Sequence, residues 1–366
     1  MASDNDNVDQ PKEFAHAKHV KFFKRSLDYL PYQYSSADTN RMTLGYFCIS
    51  GLDILDKLDV LSEETKKEYI EWIYAQQIHP NVNSPDINKP ICGFRGSSFT
   101  GCPYSPEATS TEATKYDRAN LAMTYTALVL LLTLGDDLSR VNRKAIIGAL
   151  PYLQRENGSF CPCYESRESD MRFLYCAFVV SYILNDWSGV DIPKAVHFIK
   201  SSQAYDYGLG QGPSQESHGG STYCAVAALD LVGKLDSSVI NQEKLLEWCL
   251  NRQKSGFQGR MNKPPDSCYS FWIGATIKIL GHYELVDFAQ HREFLMATQG
   301  GIGGFSKWPD VYPDLLHAYM AIAGLSFMNE PGIKSMNPTL NCSLRVSKAL
   351  EDSVFHRGKP KDDPFK

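Results

Sequence analysis

"ATQGGIGGFSKWP", residues 297–309, ends a helical pattern on a Gln and follows it with a glycine-rich turn that closes on an aromatic residue. The same phrase stands upstream as "LQRENGSF" (153–160), "SQAYDYGLGQGP" (202–213) and "NRQKSGFQGR" (251–260). Its glutamines are Gln154, Gln203, Gln253 and Gln299, so the spacings are 49, 50 and 46 residues. A looser copy, "AQQIHP" to "CGFRG" (75–96), carries an insertion between Gln77 and Gly93. Self-similarity at a period of this size marks a repeat architecture.

Each repeat holds two helical patterns. The one after the turn is the more apolar, as in "STYCAVAALDLVGKL", "SCYSFWIGATIKIL" and "PDLLHAYMAIAGLSFM"; a more polar one, such as "NQEKLLEWCLNRQ", leads to the next Gln. Apolar residues recur at three- and four-residue spacing, and hardly any segment alternates as a strand does. A helix that is apolar nearly all round belongs inside, with its amphipathic partner outside. The fold expected is therefore all-α: an α/α toroid, a barrel of inner and outer helices built from helical hairpins. An open solenoid is the competing geometry, and the period alone does not choose between them. Either way the turns gather at one end, and the starts of the inner helices converge on a single mouth.

With 366 residues, 43% of them hydrophobic, the chain suffices for one large domain or two ordinary ones. We read one domain over 13–350, a disordered N-terminal tail over 1–12 and a flexible C-terminal tail over 351–366. A net charge of −5 and a pI near 6.0 give no reason to expect nucleic acid or an acidic membrane surface as partner. The start, "MASDNDNVDQPKEF", is acidic and polar, which is not a signal peptide. The longest apolar run, "LAMTYTALVLLLTL" (121–134), is too short for stable membrane insertion. Ten cysteines lie scattered, mostly within apolar helical patterns, as suits a reducing, cytoplasmic setting. The sequons "NGS" and "NCS" read as chance matches.

Chemistry enters with "NKPPDSCYSFW" (262–272), where Asp266 and Cys268 stand one residue apart. His317, in the inner helix one repeat later, faces them across one groove. Asp, Cys and His are each competent zinc ligands, and three protein ligands with one open position is the catalytic pattern. The bland alternatives are a buried thiol, an N-capping Asp266 and a core histidine. Basic residues occupy the same turns: His218, Arg260, Lys263 and Lys307. Arg and Lys together suit phosphate oxygens, and Tyr269 adds a phenolic donor. Above an aromatic interior (Tyr223, Phe271, Trp272, Tyr319), such a rim fits a long apolar molecule with a diphosphate head.

"SHGGSTYCAVAAL", "GRMNKPPDSCYSFWIGA" and "GGFSKWPDVYPDLLHAY" resemble signature segments of the β subunits of protein prenyltransferases, and the likeness runs from "KHVKFFKRSLDYLP" to about residue 350. "MTLGYFCISGLDILDKLDV", "CGFRGSSF", "GDDLSRV" and "DMRFLYCA" are most similar to the type I geranylgeranyl branch. The resemblance implies that Asp266, Cys268 and His317 hold one zinc ion, with the fourth position left for the acceptor cysteine. It also implies that His218, Arg260, Lys263 and Tyr269 grip the diphosphate of geranylgeranyl diphosphate. Lys307 stands where farnesyl enzymes carry an Asp that recruits magnesium, so no magnesium requirement is expected. Thr43 stands where they carry a Trp that shortens the pocket, and Arg172, Phe173, Leu316 and Trp272 are taken as further substrate contacts. Asn120 departs from the family, which commonly has His beside the substrate's last residue.

The function so implied is the catalytic half of a zinc-dependent prenyltransferase. A zinc-bound thiolate would attack C1 of the isoprenoid, with Arg260, Lys263, Tyr269 and Lys307 stabilising the departing diphosphate. Its partners would be an α subunit and CaaX proteins, often ending in Leu, such as Rho/Rac-type small GTPases. The rivals are a farnesyltransferase β subunit, disfavoured by Lys307 and Thr43, and a metal-free toroid used as a binding module. A Rab-type β subunit lacks the long "HPNVNSPDINKP" insertion, and a terpene cyclase needs an acidic DxDD that is absent.

Overall fold

A computed structural model of the chain describes residues 13–81, 85–86, 88–99 and 117–361. The reading of residues 1–12 as a disordered tail lies outside them, as do residues 362–366 and parts of the insertion after Gln77. Thirteen α-helices occur among the described residues. In chain order they begin with α1 (His16–Asp28), α2 (Arg41–Ile54), α3 (Glu63–Tyr74), α4 (Leu121–Leu134), α5 (Arg143–Leu153) and α6 (Met171–Leu184). There follow α7 (Ile192–Ser201), α8 (Gly219–Leu231), α9 (Gln242–Leu250), α10 (Tyr269–Ile279), α11 (Phe288–Thr298), α12 (Leu315–Phe327) and α13 (Leu344–Ala349). The only strands there are two-residue antiparallel pairs, β1 (Gln77–Ile78) with β2 (Gly93–Phe94) and β3 (Met336–Asn337) with β4 (Cys342–Ser343).

The even-numbered helices α2 to α12 form the inner ring. Each packs on the next, and α12 returns to pack on α2. That closure selects the toroid over the open solenoid. In α4 every residue except Ala122 is buried, which accounts for its lack of polar positions. The outer helices bury one stripe each: α7 turns Ile192, Ala195, Phe198 and Ile199 inward.

The recurring Gln has a structural purpose that its spacing does not disclose. Its side-chain amide holds the backbone at the start of the next outer helix. Gln154 Oε1 accepts the Asp191 N–H at 2.8 Å while its Nε2 donates to the Asp191 carbonyl at 2.9 Å. Gln253 does the same at Asp287, at 3.0 and 2.9 Å, and Gln77 and Gln203 accept from Asn142 and Asn241 at 2.7 and 3.3 Å. Gln299 accepts from Ala15 at 2.8 Å and donates to the Glu13 carbonyl at 3.1 Å. The last repeat thus clamps the first helix, and the outer ring closes as the inner one does. Asn142, Asp191, Asn241 and Asp287 also cap the helices they begin, so clamp and cap share one residue.

The residue closing each turn is a wedge. Phe94, Phe160, Leu209, Phe257 and Phe305 all have no exposed surface, and each stands opposite its Gln in an antiparallel bridge. Full burial of such a side chain contributes about 1.5–3 kcal/mol. Leu209 corrects the expectation of an aromatic residue at every turn. Gly158 and Gly303 lie at φ +92° and +93°, where an added Cβ would strike the Lys194 and Lys18 carbonyls of the next outer helix.

Residues 351–361, read from the sequence as part of a tail, pack against the barrel. Phe355 is buried, Asn185 donates to the carbonyls of Phe355 and Pro360, and the Val354 N–H donates to Asp137. One aromatic in a polar stretch is enough to dock it, so the packed domain extends past residue 350.

Candidate metal centre and substrate mouth

All six inner helices begin at the same end of the barrel, and the residues singled out from the sequence lie in their first turns or the loops before them. Thr43 is in the first turn of α2, Arg172 and Phe173 in that of α6, and Leu316 and His317 in that of α12. His218 caps α8, and Cys268 and Tyr269 begin α10. Six helix N-termini with their unpaired N–H groups therefore face one mouth, a field that favours anions.

The metal ligands come together. Asp266, Cys268 and His317 offer an oxygen, a sulfur and a nitrogen that all lie within 4.8 Å of one another. Two loops are tied to bring this about: the Ser267 N–H donates to the Lys307 carbonyl at 2.9 Å, and the Ser267 hydroxyl to the Ser306 carbonyl at 2.7 Å. Asp266 does act as a local cap, accepting the Cys268 N–H at 2.9 Å, yet Oδ1 also lies 3.3 Å from His317 Nε2. Cys268 and Asp266 are 7% exposed, and the His317 side chain 11%.

Asp314, which sequence reasoning missed, completes the centre. Its Oδ1 accepts the His317 N–H at 3.0 Å, capping α12, and its Oδ2 lies 2.6 Å from His317 Nδ1. That contact places the proton on Nδ1 and leaves Nε2 to face Asp266 and Cys268. A carboxylate behind a histidine ligand is the usual device for orienting the ring at a metal. The available signal was the spacing, an Asp three residues before His317 at a helix start.

With no ion present, protons take its place. Burial alone would lower the His317 pKa, but hydrogen bonds to Asp266 and Asp314 outweigh it and raise it to about 9. Burial, reinforced by the Asp266 charge, pushes the Cys268 thiol well up. Burial alone would raise Asp266, but hydrogen bonds from His317 and Cys268 hold it below its usual value. The donor set fits zinc: one carboxylate, one thiol and one imidazole, buried, convergent and oriented from behind.

Beside it lies a second cluster. His218 Nδ1 accepts the Gly220 N–H at 3.0 Å, so Nε2 carries the ring proton and donates to the Tyr269 hydroxyl oxygen at 3.0 Å. The Tyr269 O–H is thereby free to donate toward the mouth. Burial, then the Arg260 charge, lowers the His218 pKa, which makes this residue a neutral donor and corrects its grouping with the cations. Arg260 is paired with Glu216 at 2.9 Å. Lys307 Nζ lies 3.7 Å from Asp266 Oδ2 and 4.6 Å from the Trp308 ring centre.

Other expected contacts are looser. Lys263 is exposed, and among the described residues it meets Arg260 only through the backbone. Arg172 is engaged by Asp170 and Glu168 at 2.7 and 2.5 Å. Thr43 donates to Met123 Sδ at 3.2 Å, Phe173 is buried, and Leu316 and Trp272 are half-buried. Asn120 Oδ1 caps α4 by accepting from Ala122 and Met123 at 2.9 and 3.3 Å. A groove of about 660 Å³ on the outside of α2, between α1 and α3, contains none of these residues.

Comparison with known proteins agrees with this arrangement. The family described as "Prenyltransferase alpha-alpha toroid domain" matches residues 14–342. The "Geranylgeranyl transferase type-1 subunit beta" of Dictyostelium discoideum is 43% identical over 336 residues, 90% of this chain and 95% of its own length. Its namesake from Arabidopsis thaliana is 38% identical over 348 residues, 92% and 91% of the two chains. Among solved structures, "Candida albicans protein geranylgeranyltransferase-I complexed with GGPP" superimposes with a TM-score of 0.82 at 27% identity, covering 94% of this chain and all of that one. Among the described residues no helix is long and apolar enough to cross a membrane.

Proposed function

This chain belongs to the prenyltransferase alpha-alpha toroid family, and from that premise we propose that it is the catalytic β subunit of a type I protein geranylgeranyltransferase. The observation that carries the reading is the buried Asp266–Cys268–His317 cluster, set at the inner-helix mouth beside Lys307 and the His218–Tyr269 pair. Identity of 43% to a subunit of that name, over nearly the whole of both chains, supports the branch.

Asp266, Cys268 and His317 would hold zinc, with Asp314 fixing the imidazole. Zinc bound there supplies a Lewis acid that favours the thiolate form of an acceptor cysteine. The sulfur of a CaaX cysteine bonds to C1 of the isoprenoid as the C1–O bond to diphosphate breaks. The bonding pair leaves on the bridging oxygen, and the thiol proton goes to solvent. Arg260, Lys263 and Lys307 supply positive charge to that oxygen and its neighbours, and Tyr269 donates a hydrogen bond. To reach the ligand, Arg260 must exchange Glu216 for phosphate oxygens, and Lys307 must turn from Asp266. An ammonium at Lys307 takes the place of magnesium in this account. The lining of Trp272, Phe173, Leu316 and Thr43 receives the isoprenoid and the peptide, each buried carbon contributing ~0.8 kcal/mol. The active form would be a cytoplasmic heterodimer with an α subunit, acting on CaaX proteins of the Rho/Rac type.

The test is single-turnover transfer by the zinc-loaded heterodimer, given equal farnesyl and geranylgeranyl diphosphate and a peptide ending in Leu. Geranylgeranyl product in excess is the expected result. Farnesyl product in excess would move the chain to the farnesyl branch.

A further inference from the structure

The end of the barrel away from the mouth is closed by the chain's own C-terminal hairpin. Between β3 and β4, the four residues from Pro338 to Asn341 present four successive carbonyls to tyrosines of the inner ring. Tyr223 donates to the Pro338 carbonyl at 2.9 Å, Tyr175 to Thr339 at 2.9 Å, Tyr125 to Leu340 at 3.4 Å and Tyr319 to Asn341 at 2.9 Å. Tyr46 also donates to the Asn341 carbonyl. The hydroxyls touch one another as well: Tyr46 lies 3.2 Å from Tyr319 and 3.4 Å from Tyr125, and Tyr175 lies 3.0 Å from Tyr223. Five of the six inner helices thus contribute one tyrosine each to a single ring.

The hairpin is latched from the sides. Thr339 Oγ1 donates to Asp230 of α8 at 2.6 Å, Arg345 Nε to the buried Asp53 of α2 at 2.8 Å, and Ser343 to the same carboxylate. Thr339 is drawn toward α8 and Asn341 toward α12. Leu340, the one large apolar side chain of the loop, stands between them and is 4% exposed.

Exposure along the inner helices marks a floor at this level. Thr43, Ala122, Trp272 and Leu316 near the mouth are half-buried. At the ring, Tyr125 is 6% exposed, Tyr175 4% and Tyr223 and Tyr319 0%. One turn deeper Val179 and Ala323 are at 0%. Each tyrosine hydroxyl has a single proton to give, and here all are given to the loop or to the neighbouring hydroxyl. A ligand descending from the mouth therefore meets ring carbons and Leu340, an apolar surface built from polar residues.

We propose that the loop Pro338–Asn341, with Leu340 at its centre, is the stop that sets the greatest isoprenoid length the barrel accepts. It acts separately from Thr43, which lies about one helical turn nearer the mouth than Tyr46. The proposal rests on reading the mouth as the site of a geranylgeranyl donor.

The experiment compares kcat/KM for diphosphates of fifteen, twenty and twenty-five carbons, using the full heterodimer with Leu340→Ala and Leu340→Phe. Leu340→Ala should raise the ratio of twenty-five- to twenty-carbon transfer by about tenfold or more, since the added depth buries part of a fifth isoprene. Leu340→Phe should move preference toward fifteen carbons. The two variants push in opposite directions, so either one that folds decides the matter. Unchanged ratios, with the wild type transferring the twenty-carbon group, would overturn the stop and leave the reading of the mouth standing. No twenty-carbon transfer by the wild type would overturn both.

Discussion

His317 Nδ1 lies 2.6 Å from Asp314 Oδ2, and the same carboxylate caps the helix that carries His317. Ring orientation and helix start are thus set by one side chain. Asp314→Ala should weaken zinc binding 10–100-fold, as loss of such orienting groups does, measured by competition with a chelator. Asp287→Ala is the control. It removes the equivalent cap from α11, away from the centre, and should leave zinc affinity unchanged. Equal losses in both variants would assign Asp314 a purely structural role.

Loading the metal should release protons. In the ion-free protein His317 titrates near 9 and the Cys268 thiol higher still, so both are protonated at pH 7, and a bound cation must displace both protons. Zinc affinity should accordingly rise with pH through the neutral range. Calorimetry near pH 7 in buffers of differing ionisation enthalpy should report about two protons released. Release of none would mean that other groups bind the ion.

Thr43, whose hydroxyl donates to Met123 Sδ at 3.2 Å, sits where a large side chain would enter the barrel. Thr43→Trp should shift donor preference from twenty toward fifteen carbons by roughly tenfold or more. Competition between the two diphosphates reads this directly, and an unchanged product ratio would count against a steric origin of donor choice.

Two buried histidines make stability fall in mild acid. His291 is fully buried against Phe257, and neither ring nitrogen has a hydrogen-bond partner. Burial lowers its pKa to about 3, and that of His19, packed on Phe305, to about 4. The unfolded chain protonates both near 6.5, so folding stability is complete above that pH and is lost progressively as pH falls toward 4. At pH 5 each ring costs roughly 2 kcal/mol. His291→Leu removes one of these terms without orphaning a partner. Urea unfolding at pH 7 and pH 5 should show a smaller difference for that variant than for the wild type. An identical difference would place the acid sensitivity elsewhere.

The repeat, the alternation of inner and outer helices, and the candidate metal ligands were legible because each leaves a trace in one dimension: a period, an apolar run, a short motif. What each Gln grips was not, since the clamp at Asp191 is 37 residues away and that at Ala15 is 284. Closure depends on that last contact, which is why the period could not choose between ring and solenoid. His218 carries no mark of neutrality in its neighbours along the chain. Burial and the nearby Arg260 create it. The tyrosine ring was illegible for a related reason: its five members look like ordinary core aromatics until the hairpin at 338–341 supplies their partners.

The central claim is that Asp266, Cys268 and His317 form a zinc site. The direct measurement is the metal content of the purified heterodimer, wild type against Cys268→Ala and His317→Ala, with helicity and subunit association checked in each. The account predicts one zinc per wild-type heterodimer, lost from both variants while the complex stays folded. A zinc content that survives both substitutions, or a wild type that acquires none from zinc-supplemented buffer, would contradict it.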